Sequence, residues 1–70
     1  MVEKRLRNRL KELRVEKGLT QSELAMLAGV SRKTINTVEN AVFVPSTALA
    51  LTIAEILDKR VEDIFYFEAD

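Results

Sequence analysis

In the stretch SRKTINTVEN, Ser31 to Asn40, Arg32 and Asn36 lie four residues apart, as do Lys33 and Thr37, and Lys33 and Asn36 lie three apart. On an α-helix such spacings bring side chains to one surface, so these four would form a continuous polar face. Its chemistry is donation and close apolar contact. Arg or Lys can donate to guanine O6 and N7, and the Thr methyl can meet a thymine methyl. A helix opening Ser31-Arg32-Lys33-Thr34 has this equipment at its first turn, the end a helix-turn-helix pair directs at base edges. The same residues would also serve as the solvated outer face of an ordinary αα-hairpin.

The elements that must hold this face are legible around it. Thr20 and Glu23 form a T-x-x-E capping box that starts a preceding helix at Gln21. Leu24, Leu27 and Ala28 recur at helical spacing and are expected to form its buried stripe. Ala25 is small, where two helix backbones would approach closely. Gly29 supplies the positive φ that ends the helix cheaply, Val30 plugs the corner, and Ser31 is a good N-cap for the next helix. Ile35 and Val38 share one face of that second helix and can pack back on Leu24. The whole motif spans Gln21 to Asn40.

The flanks complete a small all-α bundle within one domain, residues 1–70. Asn8 can cap a first helix running to about Lys17, with Leu10 and Leu13 inward, and Leu6 too if the helix starts earlier. Gly18 stops it. After the motif, Pro45 forbids helix at Val44 and sets up Ser46 as an N-cap. A helix over Thr47 to Leu57 would turn Leu49, Ile53, Ala54 and Leu57 inward, and a short fifth helix would cover Val61 to Ile64. The tail Ile64-Phe65-Tyr66-Phe67-Glu68 is aromatic and β-prone. A single strand is unstable by itself. A strand within 65–70 therefore needs a partner, either on a second copy or near Val2 to Arg7 of its own chain.

Composition narrows the chemistry. The 70 residues contain no Cys and no His, which removes disulfides, zinc-thiolate sites and the usual imidazole base near neutral pH. No Gly-rich phosphate loop or metal-ligand cluster is visible, so no catalytic, metal or cofactor site is expected. No apolar run approaches a membrane span, and the charged start MVEKRLRNRLK is unlike a signal peptide; a cytoplasmic protein is expected. Net charge is zero, yet residues 1–33 carry nine basic against four acidic residues, and residues 34–70 carry two against seven. Such asymmetry can orient a protein toward phosphate, or simply reflect a solvated basic first helix.

The run LKELRxxKGLTQSELAxxAGVSRxTINxVEN, followed by PSxxLALxIAxxL and VEDIF, resembles the phage-repressor and Cro-type helix-turn-helix family, and in particular its compact bacterial and archaeal regulators. The likeness runs from Leu10 to Phe65. It implies a five-helix domain that binds double-stranded operator DNA as a homodimer, usually to repress transcription. By position it implies that Arg32, Lys33 and Thr37 read base edges. It implies that Gln21, Ser31, Thr34 and Asn40 meet phosphate, with Ser31 and Thr34 also close to bases, and that Asn36 stands nearby in a role that varies. It implies an internal ion pair between Arg14 and Glu39. Similar regulators dimerise through C-terminal strands, which here would involve Ile64, Phe65, Tyr66 and Phe67.

The chain departs from the family pattern after Asn40, where relatives commonly carry Gly and then a polar or basic residue. Here Ala41 and Val42 follow. Because Ala is costly at positive φ, Asn40 is expected to take the left-handed position. Phe43 is expected to fill the core site that relatives give to an aromatic. Val42 and Val44 either pack within the loop or touch another protein. Arg60, in place of Ser or Pro, leaves the fifth helix poorly capped, while Asp58 can adopt the turn usually given to Gly or Asn. Two readings of function remain open at this level: a sequence-specific DNA-binding regulator, and an antitoxin-like protein-interaction module of the same fold.

Overall fold

The computed structural model describes residues 4–68. The elements run β1 (Leu6–Asn8), α1 (Leu10–Glu16), α2 (Gln21–Ala28), α3 (Arg32–Glu39), α4 (Thr47–Leu57), α5 (Val61–Ile64) and β2 (Phe65–Phe67). The five expected helices are present, joined by a two-stranded antiparallel ribbon of the chain's two ends.

The caps explain where the helices begin and end. Thr20 Oγ1 accepts from the Glu23 amide at 3.0 Å, and Glu23 Oε1 accepts from the Thr20 amide at 2.9 Å. Donation from the Thr20 backbone, and then from its hydroxyl, holds the Glu23 carboxyl below its ordinary pKa. Gly29, at φ 74, ends α2, and the Val30 amide closes the turn on the Ala25 carbonyl at 3.0 Å. Ser31 and Ser46 cap α3 and α4 by accepting from the amides three residues on. Asp58 takes the left-handed turn after α4, at φ 55. Arg60 offers no acceptor to α5, and only the reciprocal half of a cap forms, from the Arg60 amide to Asp63 Oδ2 at 3.2 Å.

The core is one cluster centred on Leu10, Leu24, Ile35, Ile53 and Ile64, all fully buried. Burying each such side chain is worth about 1.5–3 kcal/mol. Ile35 and Val38 turn inward from α3 and join Leu24 of α2 in that cluster. Ala25 is buried as well, in keeping with the close helix approach expected there; the expected stripe of α2 is corrected at Leu27. Leu27 lies two residues on from Ala25, about 200° around the helix, and is 58% exposed. In α4, Ala50 joins the buried core and Leu49 packs at its margin.

The first helix starts later than the pattern suggested, because Leu6–Asn8 is strand. Leu6 faces Phe67, Arg7 faces Tyr66 and Asn8 faces Phe65. Hydrogen bonds from the Arg9 amide to Ile64 O and from the Glu68 amide to Arg5 O, both 2.8 Å, extend the ribbon at each end. The tail therefore finds its partner strand within its own chain. Val2 and Glu3, and the tail residues Ala69 and Asp70, lie outside the described residues. Asn8 still assists α1, its Oδ1 accepting from the Leu10 amide at 3.0 Å, while its Nδ2 donates to Val38 O at 2.9 Å. Ile64 and Phe65, expected at a contact between copies, are core residues of a single copy; Tyr66 and Phe67 remain on the surface.

The loop after α3 corrects two further expectations. Asn40 stays near the helical region (φ −85, ψ 7), and Ala41 adopts the left-handed conformation at φ 58. Both the Val42 and Phe43 amides then close on Thr37 O, at 2.9 and 3.1 Å. That turn carries the following side chains outward: Val42 is 78%, Phe43 47% and Val44 65% exposed. Phe43 thus fills no core site. A left-handed Ala is strained by about 1–2 kcal/mol, part of which a Gly would forfeit through its freer unfolded chain. Ala41→Gly should therefore raise stability by roughly 0.5–1 kcal/mol, read as a higher thermal midpoint. A lower midpoint would show that Ala41 does not occupy this turn.

Candidate nucleic-acid interface

The polar face of α3 rests on a buried polar clamp. Arg14 Nε donates to Glu39 Oε2 at 2.6 Å and its Nη2 to Glu39 Oε1 at 3.4 Å, while Nη1 reaches Leu19 O at 2.7 Å. The two side chains are only 9% and 3% exposed. With all three guanidinium nitrogens engaged inside the protein, Arg14 has no face to give a phosphate. Glu39 Oε1 also accepts from Gln21 Nε2 at 2.9 Å. One carboxylate therefore ties α1, the start of α2 and the end of α3 together. Gln21 keeps one amide hydrogen and its carbonyl for an outside partner.

Along α3, Ser31, Arg32, Lys33, Asn36 and Asn40 are exposed, and Thr34 and Thr37 are half-buried. The helix has eight residues, about 12 Å at 1.5 Å per residue. That is close to the ~12 Å width of a B-DNA major groove. Arg32 and Lys33 carry no ion pair among the described residues, so both charges are free at the leading turn.

The hydroxyls are more constrained than the cations. Ser31 Oγ accepts from the Thr34 amide at 3.1 Å and lies 2.9 Å from Thr34 Oγ1. When Thr34 donates across that short contact, the Ser31 hydrogen is left to point outward. Thr37 Oγ1 lies 3.0 Å from both Lys33 O and Thr34 O, so its hydrogen is committed to its own helix. Its methyl group and its oxygen as acceptor remain for a ligand. Asn40 Nδ2 donates to Asn36 Oδ1 at 3.3 Å, a long bond between exposed side chains.

The fold also brings in residues that the linear pattern did not. An open cleft of about 520 Å³ at the C-terminal end of α3 is lined by Arg5, Arg7, Asn8, Glu39, Asn40 and Ala41. The overlooked signal is the alternation Arg5-Leu6-Arg7-Asn8-Arg9. Its period of two marks a strand with a basic face, and it was obscured by the helical run that begins at Leu10.

Comparison with known proteins agrees with this architecture. Residues 10–64 match the helix-turn-helix family HTH_3. The chain is similar to an uncharacterized HTH-type transcriptional regulator of Archaeoglobus fulgidus, with 43% identity over 63 residues and 90% of each chain covered. A second such regulator, from Methanocaldococcus jannaschii, is 43% identical over 65 residues, covering 93% of this chain and 98% of that one. Among solved structures, the restriction-modification controller protein C.AhdI of Aeromonas hydrophila superposes with a TM-score of 0.74 at 38% identity, over 79% of this chain and 83% of that one. With residues 10–64 matching the family and relatives 43% identical along nearly the whole chain, the chain belongs to the Cro/C1-type helix-turn-helix family and is a transcriptional regulator with that family's DNA-binding fold.

Proposed function

We propose that this protein is a repressor that binds a palindromic operator as a homodimer, with α3 in the major groove. The observation that carries this reading is the polar face of α3, its two cations without an ion pair among the described residues, standing on the buried Arg14–Glu39 clamp. Arg32, Lys33 and Thr37 read base edges, Thr37 through its methyl. Gln21, Ser31, Thr34 and Asn40 meet phosphates, and Asn36 reaches a base or a phosphate. One short helix covers few bases, so a second copy must reach the next major groove, about 34 Å away. Residues 1–70 act as a single domain without a cofactor and without catalysis, in the cytoplasm. No helix among the described residues is long and apolar enough to cross a membrane.

Two contacts with different physics separate specificity from grip. Arg32→Ala should cost about 1–3 kcal/mol on the preferred operator and relax one base position. Gln21→Ala should weaken all sequences alike and flatten the dependence on salt. The test is selection of bound sites from random duplexes at stated salt, followed by titration of both variants. Palindromic sites with half-sites one helical turn apart are expected. Equal affinity of Arg32→Ala for every operator variant would overturn the base-reading assignment. The exposed Val42-Phe43-Val44 loop favours a second reading, a protein-interaction module of the same fold, to which failure of the wild type to select any duplex would point.

A further inference from the structure

The C-terminal end of α3 is electrostatically unsuited to a phosphate by itself. The negative end of the helix dipole lies there, its last carbonyls are mostly taken up by loop amides and Asn8, and the loop Asn40 to Val44 contains no cation. Yet a helix about as long as the groove is wide must bring that end near a backbone strand. Cations at this edge have to come from another element, and those lining the adjoining cleft are Arg5 and Arg7.

The ribbon fixes both side chains on that side. Leu6 and Asn8 face the protein, Leu6 packing against the core and Asn8 bonding Val38 O of α3. Arg5 and Arg7 alternate with them along the chain and, with Asn8, line the cleft beside Asn40. Asn8 thereby anchors the strand to the last turn of α3, and the ribbon hydrogen bonds hold its direction. Arg5 has no ion pair among the described residues. Arg7 Nη1 lies 3.0 Å from Glu68 Oε1, but both side chains are about half exposed, at 46% and 48%. An exposed pair of this kind is weak, about 0–1 kcal/mol, and a phosphate can compete for the guanidinium.

We propose that β1 is a second phosphate-binding edge: Arg5 and Arg7 hold the DNA backbone where it passes the C-terminal end of α3, and Glu68 competes with that backbone for Arg7. The assignment rests on the DNA-binding reading given above. It extends the interface to a strand outside the helix-turn-helix pair, and it gives the tail a part in setting affinity.

The test titrates the full chain against the duplex recovered by selection and an unrelated duplex of equal length, from low to moderate NaCl. Each phosphate contact contributes about 0.9 to the slope of log K against log salt. Arg5→Gln/Arg7→Gln should lower that slope by about 2 for each bound copy, hence about 4 for a bound dimer, on both duplexes, leaving the ratio of the two affinities unchanged. Glu68→Gln should bind both duplexes more tightly, because Arg7 is released, whereas a merely structural role for the ion pair would make it bind more weakly. Circular dichroism monitors folding; if the double variant is unfolded, Arg5→Gln alone should still lower the slope by about 1 for each bound copy. A folded variant with an unchanged slope, or weaker binding by Glu68→Gln, overturns the proposal and leaves the DNA-binding reading intact. A wild type that binds neither duplex overturns that reading, and the proposal with it.

Discussion

Glu39→Ala is expected to destabilise the protein by about 3–5 kcal/mol, the usual cost of removing one partner from a buried ion pair. The carboxylate receives Arg14 Nε at 2.6 Å and Gln21 Nε2 at 2.9 Å, with its own side chain only 3% exposed. Its removal leaves a largely buried guanidinium without its carboxylate partner. Against a total stability of about 0.05–0.15 kcal/mol per residue, such a loss takes a large share of what a chain of 70 residues possesses. Urea unfolding followed by circular dichroism measures it. The double change Arg14→Met/Glu39→Leu should recover most of the stability, because apolar pairs of similar volume avoid the desolvation penalty. A loss below about 1 kcal/mol for Glu39→Ala would mean that the pair is hydrated and does not brace α3.

Phe67→Lys is expected to give a monomer whose affinity for a palindromic duplex falls by about 10²–10⁴-fold, the factor by which simultaneous binding of two sites exceeds single binding. The proposed dimer needs an apolar surface that one copy leaves uncovered. Phe67 is 59% exposed and sits opposite Leu6 in the ribbon. Leu6 in turn lines an apolar cleft of about 190 Å³ with Pro45, Ala50 and Leu51, and Leu51 is itself 56% exposed. A substitution is a cleaner probe than deletion of the tail, since β2 also supports its own β1 and deletion would strip the core cover at Phe65. Sedimentation equilibrium reports the mass, and titration against full and half operators reports the affinity. A variant that remains dimeric, or one that loses half-site binding to the same extent, would place the interface elsewhere.

The parts of the fold legible in the sequence are those specified by neighbours in the chain. Thr20 with Glu23, Gly29, Ser31, Ser46 and Asp58 each set a helix boundary through hydrogen bonds or φ values within a few residues, and all can be located without tertiary information. Leu24, Ile35, Val38 and Ile53 follow from helical spacing for the same reason. Leu27 and Phe43 were not legible. Which side of α2 is buried depends on how closely Ala25 lets neighbouring helices approach, and where Phe43 points depends on Ala41 accepting a strained turn.

The same division holds for the interface. The sequence by itself determined the polar face of α3, its basic leading turn and the helix that must precede it, because periodicity and caps are local properties. Only the tertiary structure decided that the tail pairs with Leu6–Asn8 of its own chain rather than with a second copy, that Gln21 joins the Arg14–Glu39 pair across three helices, and that Arg5 and Arg7 stand beside Asn40. Each of these contacts joins residues 18 to about 60 positions apart. Such pairings depend on how packed elements are oriented, which no local propensity encodes.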